Sequence, residues 1–221
     1  MNKHFQFFLL VKKGDVHTKK ALQFCRQHFP DVMDCLGERG DTLPDEVLWW
    51  QGDYIISYLS PWILSESLLN RARMAAINFH PATPEYPGTG CINFALYENA
   101  PEYGAMCHHM ASKVDTGTVI AVKRFPVFAS DTVETLLERT YDHQLILFYE
   151  MIALIAQGKP LPVSPETWTR PPFTRKQLNA LSVITVEMNA EEIAKRIRAT
   201  SFRQWKPVLE LNGFKFEYKG S

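Results

Sequence analysis

The stretch INFHPATPEYPG (residues 77–88) sets an amide, Asn78, and an imidazole, His80, two residues apart, then breaks into prolines and a glycine. In an extended strand residues i and i+2 share a face. Asn78 and His80 therefore project together, while Ile77 and Phe79 pack the opposite way. Pro81, Pro84, Pro87 and Gly88 stop both helix and ladder, leaving the two polar groups at the mouth of a strand. A third candidate, Asp115, stands in KVDTGTVI (residues 113–120), a turn-rich segment between apolar runs. Each group has an ordinary structural explanation, Asp-Thr-Gly above all as turn chemistry. Together they form a set of roles: an amide N–H for a developing oxyanion, an imidazole to move a proton, and a carboxylate to orient and charge the imidazole. No serine or cysteine stands in a nucleophile-elbow context, so direct acyl transfer between two bound substrates is expected.

Other groupings carry less. His108 and His109 are adjacent on an apolar run. Neighbours on a strand face opposite ways, so the pair cannot share one metal, and no metal is expected. VKKGDVHTKK, after the first apolar run, holds one glycine and lacks the dinucleotide fingerprint. Cys25, Cys35, Cys91 and Cys107 are scattered without a CxxC pair and are expected as small core residues.

The positioning elements can be read along the chain. FQFFLLV (residues 5–11) is a continuous apolar run, as in a strand buried on both faces. Gly14 and Asp15 introduce a helix with Ala21, Leu22, Cys25 and Phe29 on one side. VMDCLG and YIISYL read as further strands, SPWILSESLLNRARM as a helix started by its proline, and AAINFH as the strand ending at His80. GCINFALYE suits a helix; YGAMCHHMA and VIAVKRFPV suit strands. Asp131 with Glu134 gives a capping-box signature for a long helix carrying Leu137, Tyr141, Leu145, Phe148, Ile152 and Ile155 inward and stopping at Gly158. The alternation predicts an α/β fold, a mostly parallel sheet with flanking helices. GKPLPVSPETWTRPPF is a proline-rich connector. A small tail follows: a helix capped by Asn189 with Glu192, then VLELNGFKFEY, two strands about an Asn-Gly turn. The main unit is expected over residues 1–160, with connector and tail over 161–221.

With 221 residues, the chain can bury a full core. Lys+Arg and Asp+Glu are both 24, and this neutral balance disfavours a surface built to grip nucleic acid. The opening apolar run is too short to span a membrane, and a soluble, cytoplasmic protein is expected.

The segment INFHPATPEYPGTGCINFALYENAPEYGAMCHHMASKVDTGTVI resembles the signature of the folate-dependent formyltransferases. That signature is Asn-x-His-Pro, a loop with Pro and Gly, a helix, then Asp-Thr-Gly before a strand. Here its positions are Asn78, His80, Pro81, Gly88 and Asp115-Thr116-Gly117. The resemblance implies a Rossmann-like formyltransferase fold and transfer of a formyl group from N10-formyltetrahydrofolate, as co-substrate, to an amine. Asn78, His80 and Asp115 are then catalytic, and the pterin lies against Lys113 and Val114 on one side and Ser60, Trp62 and Ile63 on the other.

HPATPEYPGTGCINFALYE and the tail are most similar to the sugar N-formyltransferases. That likeness implies an acceptor of the nucleotide-linked amino-sugar type (a dTDP-linked 3- or 4-amino-dideoxy sugar), a role in surface polysaccharide (O-antigen) synthesis, and a homodimer paired partly through the tail. It leaves no part for nucleic acid or membrane. Tyr86, Gly88 and Asn93 are candidate contacts to sugar or diphosphate, with packing of the loop the structural alternative for Tyr86. Phe202 and Trp205 either stack on a base or bury in an interface. Two alternatives stay open: formylation of another amine, such as methionyl-tRNA or a small nucleotide, and a folate-binding homologue without turnover. A mere binder needs none of Asn78, His80 and Asp115.

Overall fold

The computed structural model describes residues 5–220. The first apolar run forms β1 (Phe7–Lys12), buried along all but its last residue. Asp15 caps α1 (Val16–His28), its carboxylate accepting from the N–H groups of His17 and Thr18. There follow β2 (Val32–Gly37), a short 3-10 turn (Asp45–Trp49), β3 (Gly52–Tyr58), α2 (Glu66–Leu69), β4 (Ala72–His80) and α3 (Cys91–Tyr97). β5 (Glu102–His109), β6 (Val119–Pro126) and α4 (Val133–Ala156) come next.

Six strands lie in the order β2-β1-β3-β4-β5-β6. β2, β1, β3 and β4 are parallel, and β5 and β6 return antiparallel. Residues 110–118 join β5 to β6 without a crossover helix, which only an antiparallel pair permits. The mainly parallel α/β sheet is the one expected. Alternate strand residues feed two cores. Phe7, Leu9, Ile56, Ile77 and Phe79 pack with Ala21, Leu22 and Cys25 of α1 and with Phe148, Met151 and Ile152 of α4. On the other face Phe8, Leu10 and Ile55 meet Val47, Leu64, Leu68 and Leu69.

Two helix starts differ from expectation. Residues 60–64 are irregular, and α2 begins at Glu66 under a Ser65 cap rather than at Pro61. The capping box of α4 is Thr132 with Thr135, not Asp131 with Glu134. Asp131 is occupied instead by the Arg139 fork and the Phe128 N–H, which leaves the next hydroxyl to cap.

The tail comprises α5 (Arg175–Leu181), β7 (Val183–Ile184), α6 (Ala190–Thr200), β8 (Val208–Leu211) and β9 (Phe214–Glu217). Asn189 caps α6 as expected. Asn212 and Gly213 both take positive φ, as a two-residue hairpin turn requires. α5 and β7 are additions. β7 pairs parallel with β8, but two residues are too few to show an alternation. The proline-rich connector is lashed to the loop after β4: the Thr169 N–H donates to the Pro84 carbonyl at 3.3 Å, and the Phe173 N–H to that of Pro87 at 2.9 Å. Arg124 pairs with Glu85 at 2.8 Å and also with Glu166. Among the described residues no helix is long and apolar enough to cross a membrane.

One buried polar group supports the strand that ends in the site. Gln144 on α4, fully buried, donates from Nε2 to the Phe79 carbonyl at 2.7 Å. Stranding such an acceptor costs about 1–3 kcal/mol. Gln144→Leu should therefore lower the urea midpoint by a matching amount; an unchanged midpoint would mean that the ladder alone holds this peptide.

Candidate active site

β4 delivers Asn78 and His80 to one face, with Ile77 and Phe79 buried on the other. His80 is 6% exposed. The loop after it doubles back, and His80 Nε2–H donates to the Tyr86 carbonyl at 3.2 Å. With Nε2 carrying the proton, the neutral ring keeps its lone pair on Nδ1. That nitrogen faces Asp115 Oδ2 at 3.7 Å, too far for a direct hydrogen bond.

Asp115 occupies the connection between β5 and β6 at φ 52, a left-handed conformation that Asp tolerates better than most side chains. Gly117 lets this turn pass close to β5, since a Cβ there would overlap the His109 carbonyl oxygen. From the proline loop, Gly88 donates its N–H to Asp115 Oδ2 at 2.7 Å. Gly88 sits at φ 87, and any side chain on it would strike the Phe173 backbone.

The structure adds a residue that sequence reasoning set aside. His108 is the register partner of Asn78 across the β4–β5 ladder and is 2% exposed. Its Nδ1–H donates to the His109 carbonyl at 2.8 Å, so Nε2 is the acceptor. Asn78 Nδ2 donates to that nitrogen at 3.1 Å, which fixes the amide and leaves its second N–H for another acceptor. Asp115 Oδ1 lies 3.6 Å from the same His108 nitrogen. His108 and His109 do face opposite ways, as read. That alternation forbids a shared metal, yet it leaves His108 facing the site beside His80. Only the non-local β4–β5 register could have found it.

Burial holds the His80 pKa below its ordinary 6.5, with Asp115 opposing. Burial alone would push the Asp115 carboxyl up; the facing His80 and the Gly88 N–H outweigh it and keep the group below the usual carboxylate range. The site thus holds a neutral imidazole with a free Nδ1 beside an ionised carboxylate. Cys91 comes within 3.7 Å of His80 Nε2, but burial raises its thiol to about 12 and its S–H donates to the Gly88 carbonyl. It is no nucleophile, because the thiolate is the reactive form.

A cavity of about 460 Å³ opens on this cluster. Ser60, Trp62 and Ile63 line it from the segment after β3, Lys113 and Val114 from the turn, and Asn78, His80, His108 and Asp115 between them. All eight residues expected at the catalytic and pterin positions are therefore brought together. Leu59, at φ 55, marks the sharp exit of β3 into this wall, and strain of that kind collects at ligand sites. A second cavity of about 440 Å³ shares Pro81, Gly88 and Thr89 with the first. Gly88 and Asn93 line it, although the Asn93 amide donates to the Ala199 carbonyl at 2.6 Å. Phe202 and Trp205 line it too, with their rings parallel. Tyr86 lines neither. Its ring is buried with Ala82 and Tyr103 beneath the Arg170 guanidinium, so the loop-packing alternative applies and its carbonyl is what reaches the site.

The crevice beyond β4 holds Asn-x-His-Pro and Asp-Thr-Gly side by side, and comparison with known proteins gives the family. The formyl transferase family matches residues 32–152. This chain belongs to it. It is 31% identical over 140 residues to the methionyl-tRNA formyltransferase of Dictyoglomus thermophilum, covering 63% of this chain and 45% of that one. The chain spans about half the length of the curated methionyl-tRNA formyltransferases it matches. A sugar N-formyltransferase from Shewanella sp. FDAARGOS_354 superimposes with TM-score 0.77 at 17% identity, over 98% of this chain and 97% of that one. The N-formyltransferase of Helicobacter canadensis, solved with folinic acid and dTDP-3-aminofucose, gives 0.74 at 18%, over 94% and 85%. At these identities the likeness is one of fold.

Because the folded His80 resists protonation, its contribution to stability is complete above the unfolded value of 6.5 and lost as pH falls through the lower folded value. His80→Gln should flatten the stability–pH curve on the acid side of neutrality, measured by urea denaturation. An unchanged slope would mean His80 titrates normally.

Proposed function

We propose that this protein transfers a formyl group from N10-formyltetrahydrofolate to the amine of a nucleotide-linked amino sugar. The observation that carries this reading is the meeting of two cavities at Gly88 and Thr89, beside Asn78, His80 and Asp115. The walls of the first mix apolar Leu59, Leu64 and Met110 with polar Ser57, Asn78 and Lys113, which suits a flat heteroaromatic with hydrogen-bonding edges. The second presents Arg39, Arg175 and Lys206 beside Phe202 and Trp205, cations for a diphosphate and aromatic surface for a base. The N-terminus of α1, an alternative anion site, is filled by the chain's own Asp15 carboxylate.

When bound, the folate supplies an activated formyl carbon. Asn78 offers its free N–H to the negative charge that develops on the formyl oxygen. As the amine bonds to the formyl carbon, His80 Nδ1 takes its proton and the Asp115 carboxylate stabilises the imidazolium so formed. That proton then goes to N10 as the bond from N10 to the formyl carbon breaks and tetrahydrofolate leaves. His108 keeps the Asn78 amide turned to its task. Ser60, Trp62, Ile63, Lys113 and Val114 hold the pterin; Gly88 and Asn93 lie on the acceptor side. The protein works in the cytoplasm in surface polysaccharide synthesis, as a homodimer. The exposed Leu211, Phe214 and Phe216 on the β8–β9 hairpin support the pairing.

Incubation with N10-formyltetrahydrofolate and a panel of nucleotide-linked 3- and 4-amino sugars, read by mass spectrometry, tests this. One sugar should gain one formyl group. Asn78→Ala should reduce kcat roughly 10²–10³-fold and His80→Ala roughly 10²–10⁴-fold, with folate binding kept. If folate binds and no amino sugar is formylated, the acceptor assignment fails; a full rate in His80→Ala would sink the proton-transfer role.

A further inference from the structure

The proposed chemistry needs two imidazoles at fixed tilt, and hydrogen bonds to ring nitrogens leave each ring free to rock about the bonded edge. A third ring removes that freedom. Trp168, from the connector, meets the His80 ring at 5.9 Å and 66° and the His108 ring at 5.1 Å and 82°. The two imidazoles meet each other at 6.3 Å and 76°. Three rings thus stand near-perpendicular in pairs, the arrangement their quadrupoles favour. The indole N–H of Trp168 also donates to the Gly117 carbonyl at 2.7 Å, two residues beyond Asp115.

We propose that Trp168 is a positioning residue for the transfer: its ring holds His80 and His108 at working tilt while its N–H fixes the turn that carries Asp115. The inference rests on the reading of the site given above. Trp168 touches all three arms of the constellation, one on β4, one on β5 and one in the β5–β6 turn. Its own position is over-determined. Glu166 is held by Arg124, which also holds Glu85 of the proline loop. The Thr169 N–H bonds the Pro84 carbonyl, and Arg170 pairs with Glu98 at 2.7 Å. A segment that served only as a spacer would need no such fastening. The connector is therefore part of the catalytic apparatus.

The ring also covers His80 from water. The other groups facing His80 are Asp115 from the turn, His108 from β5, Cys91 from α3 and the Tyr86 carbonyl of the loop; a Trp168 variant adds no charge to them and removes none. Removing the ring admits water, relieves the burial that disfavours the imidazolium, and moves the His80 midpoint up towards 6.5. The acid limb of kcat/KM then moves to higher pH, since the working form is the unprotonated one.

The test combines NMR titration of the imidazole rings with steady-state kinetics on wild type, Trp168→Leu and Trp168→Phe. In the wild type, NOEs are expected from the indole ring to both imidazoles; their absence overturns the proposal whatever the variants do. Trp168→Leu should raise the His80 midpoint and lower kcat about ten-fold or more, with KM for the folate within about two-fold. Trp168→Phe, which keeps a ring but loses the N–H, should recover the midpoint and give a kcat between those of Trp168→Leu and wild type. A wild-type midpoint and kcat in Trp168→Leu, or a Phe variant no better than Leu, would reduce Trp168 to packing. NOEs and midpoints need no turnover, so they decide this point even if no acceptor is formylated.

Discussion

The hydrogen bond from the Gly88 N–H to the Asp115 carboxylate is the contact on which the rest of the site depends. Asp115 is 7% exposed, and an ionised carboxylate at that depth needs partners. The backbone N–H of the proline loop bonds it directly at 2.7 Å, and His80 of β4 and His108 of β5 flank it at 3.7 and 3.6 Å. Each partner imposes its own condition. Gly88 must lack a side chain to lie against Phe173. The turn must enter the left-handed region at Asp115 and press close to β5 at Gly117. The proline loop must return to β4 instead of running off into solvent, and its prolines stiffen that return. The charge thus fixes the loop, the turn and two strands relative to one another.

From this follows the division of labour around Gly88. On one side lies a mixed polar and apolar cavity lined by His80; on the other a cavity edged by cations and aromatic rings meets it at Pro81, Gly88 and Thr89. The wall they share is the segment pinned to Asp115. The connector ties both sides together, because residues 164–173 cross the proline loop and α5, which starts two residues later, contributes Arg175 and Leu178 to the second cavity.

Much of this was legible in the sequence, for physical reasons. The two-residue period places Asn78 and His80 on one face whatever else the chain does, and the prolines mark where that strand must stop. Asp-Thr-Gly announces a turn, and the segments that wall the first cavity flank strands that are easy to read. The remainder depended on pairings that no local pattern encodes. His108 faces the site only because β5 runs antiparallel to β4 with Asn78 opposite, and a period-2 argument cannot supply a partner. Trp168 sits in a proline-rich stretch that reads as a spacer, and its contacts are long-range. Tyr86 misleads in the other direction: an aromatic in a loop beside a candidate site suggests a ligand contact, while here the ring is interior and the carbonyl does the work. The shift of the α4 cap from Asp131 to Thr132 has the same origin, since Arg139 claims the carboxylate from eight residues away.

On the proposed reading donor and acceptor occupy separate cavities that meet at Gly88 and Thr89, beside Asn78, His80 and Asp115. A ternary crystal structure with unreactive 5-formyltetrahydrofolate and the nucleotide-linked amino sugar tests it most directly. The formyl group should lie beside the Asn78 amide and His80 Nδ1, with the sugar amine arriving past Thr89 and its diphosphate towards Arg175 and Lys206. Both ligands in one cavity, or a formyl group remote from Asn78 and His80, would contradict it.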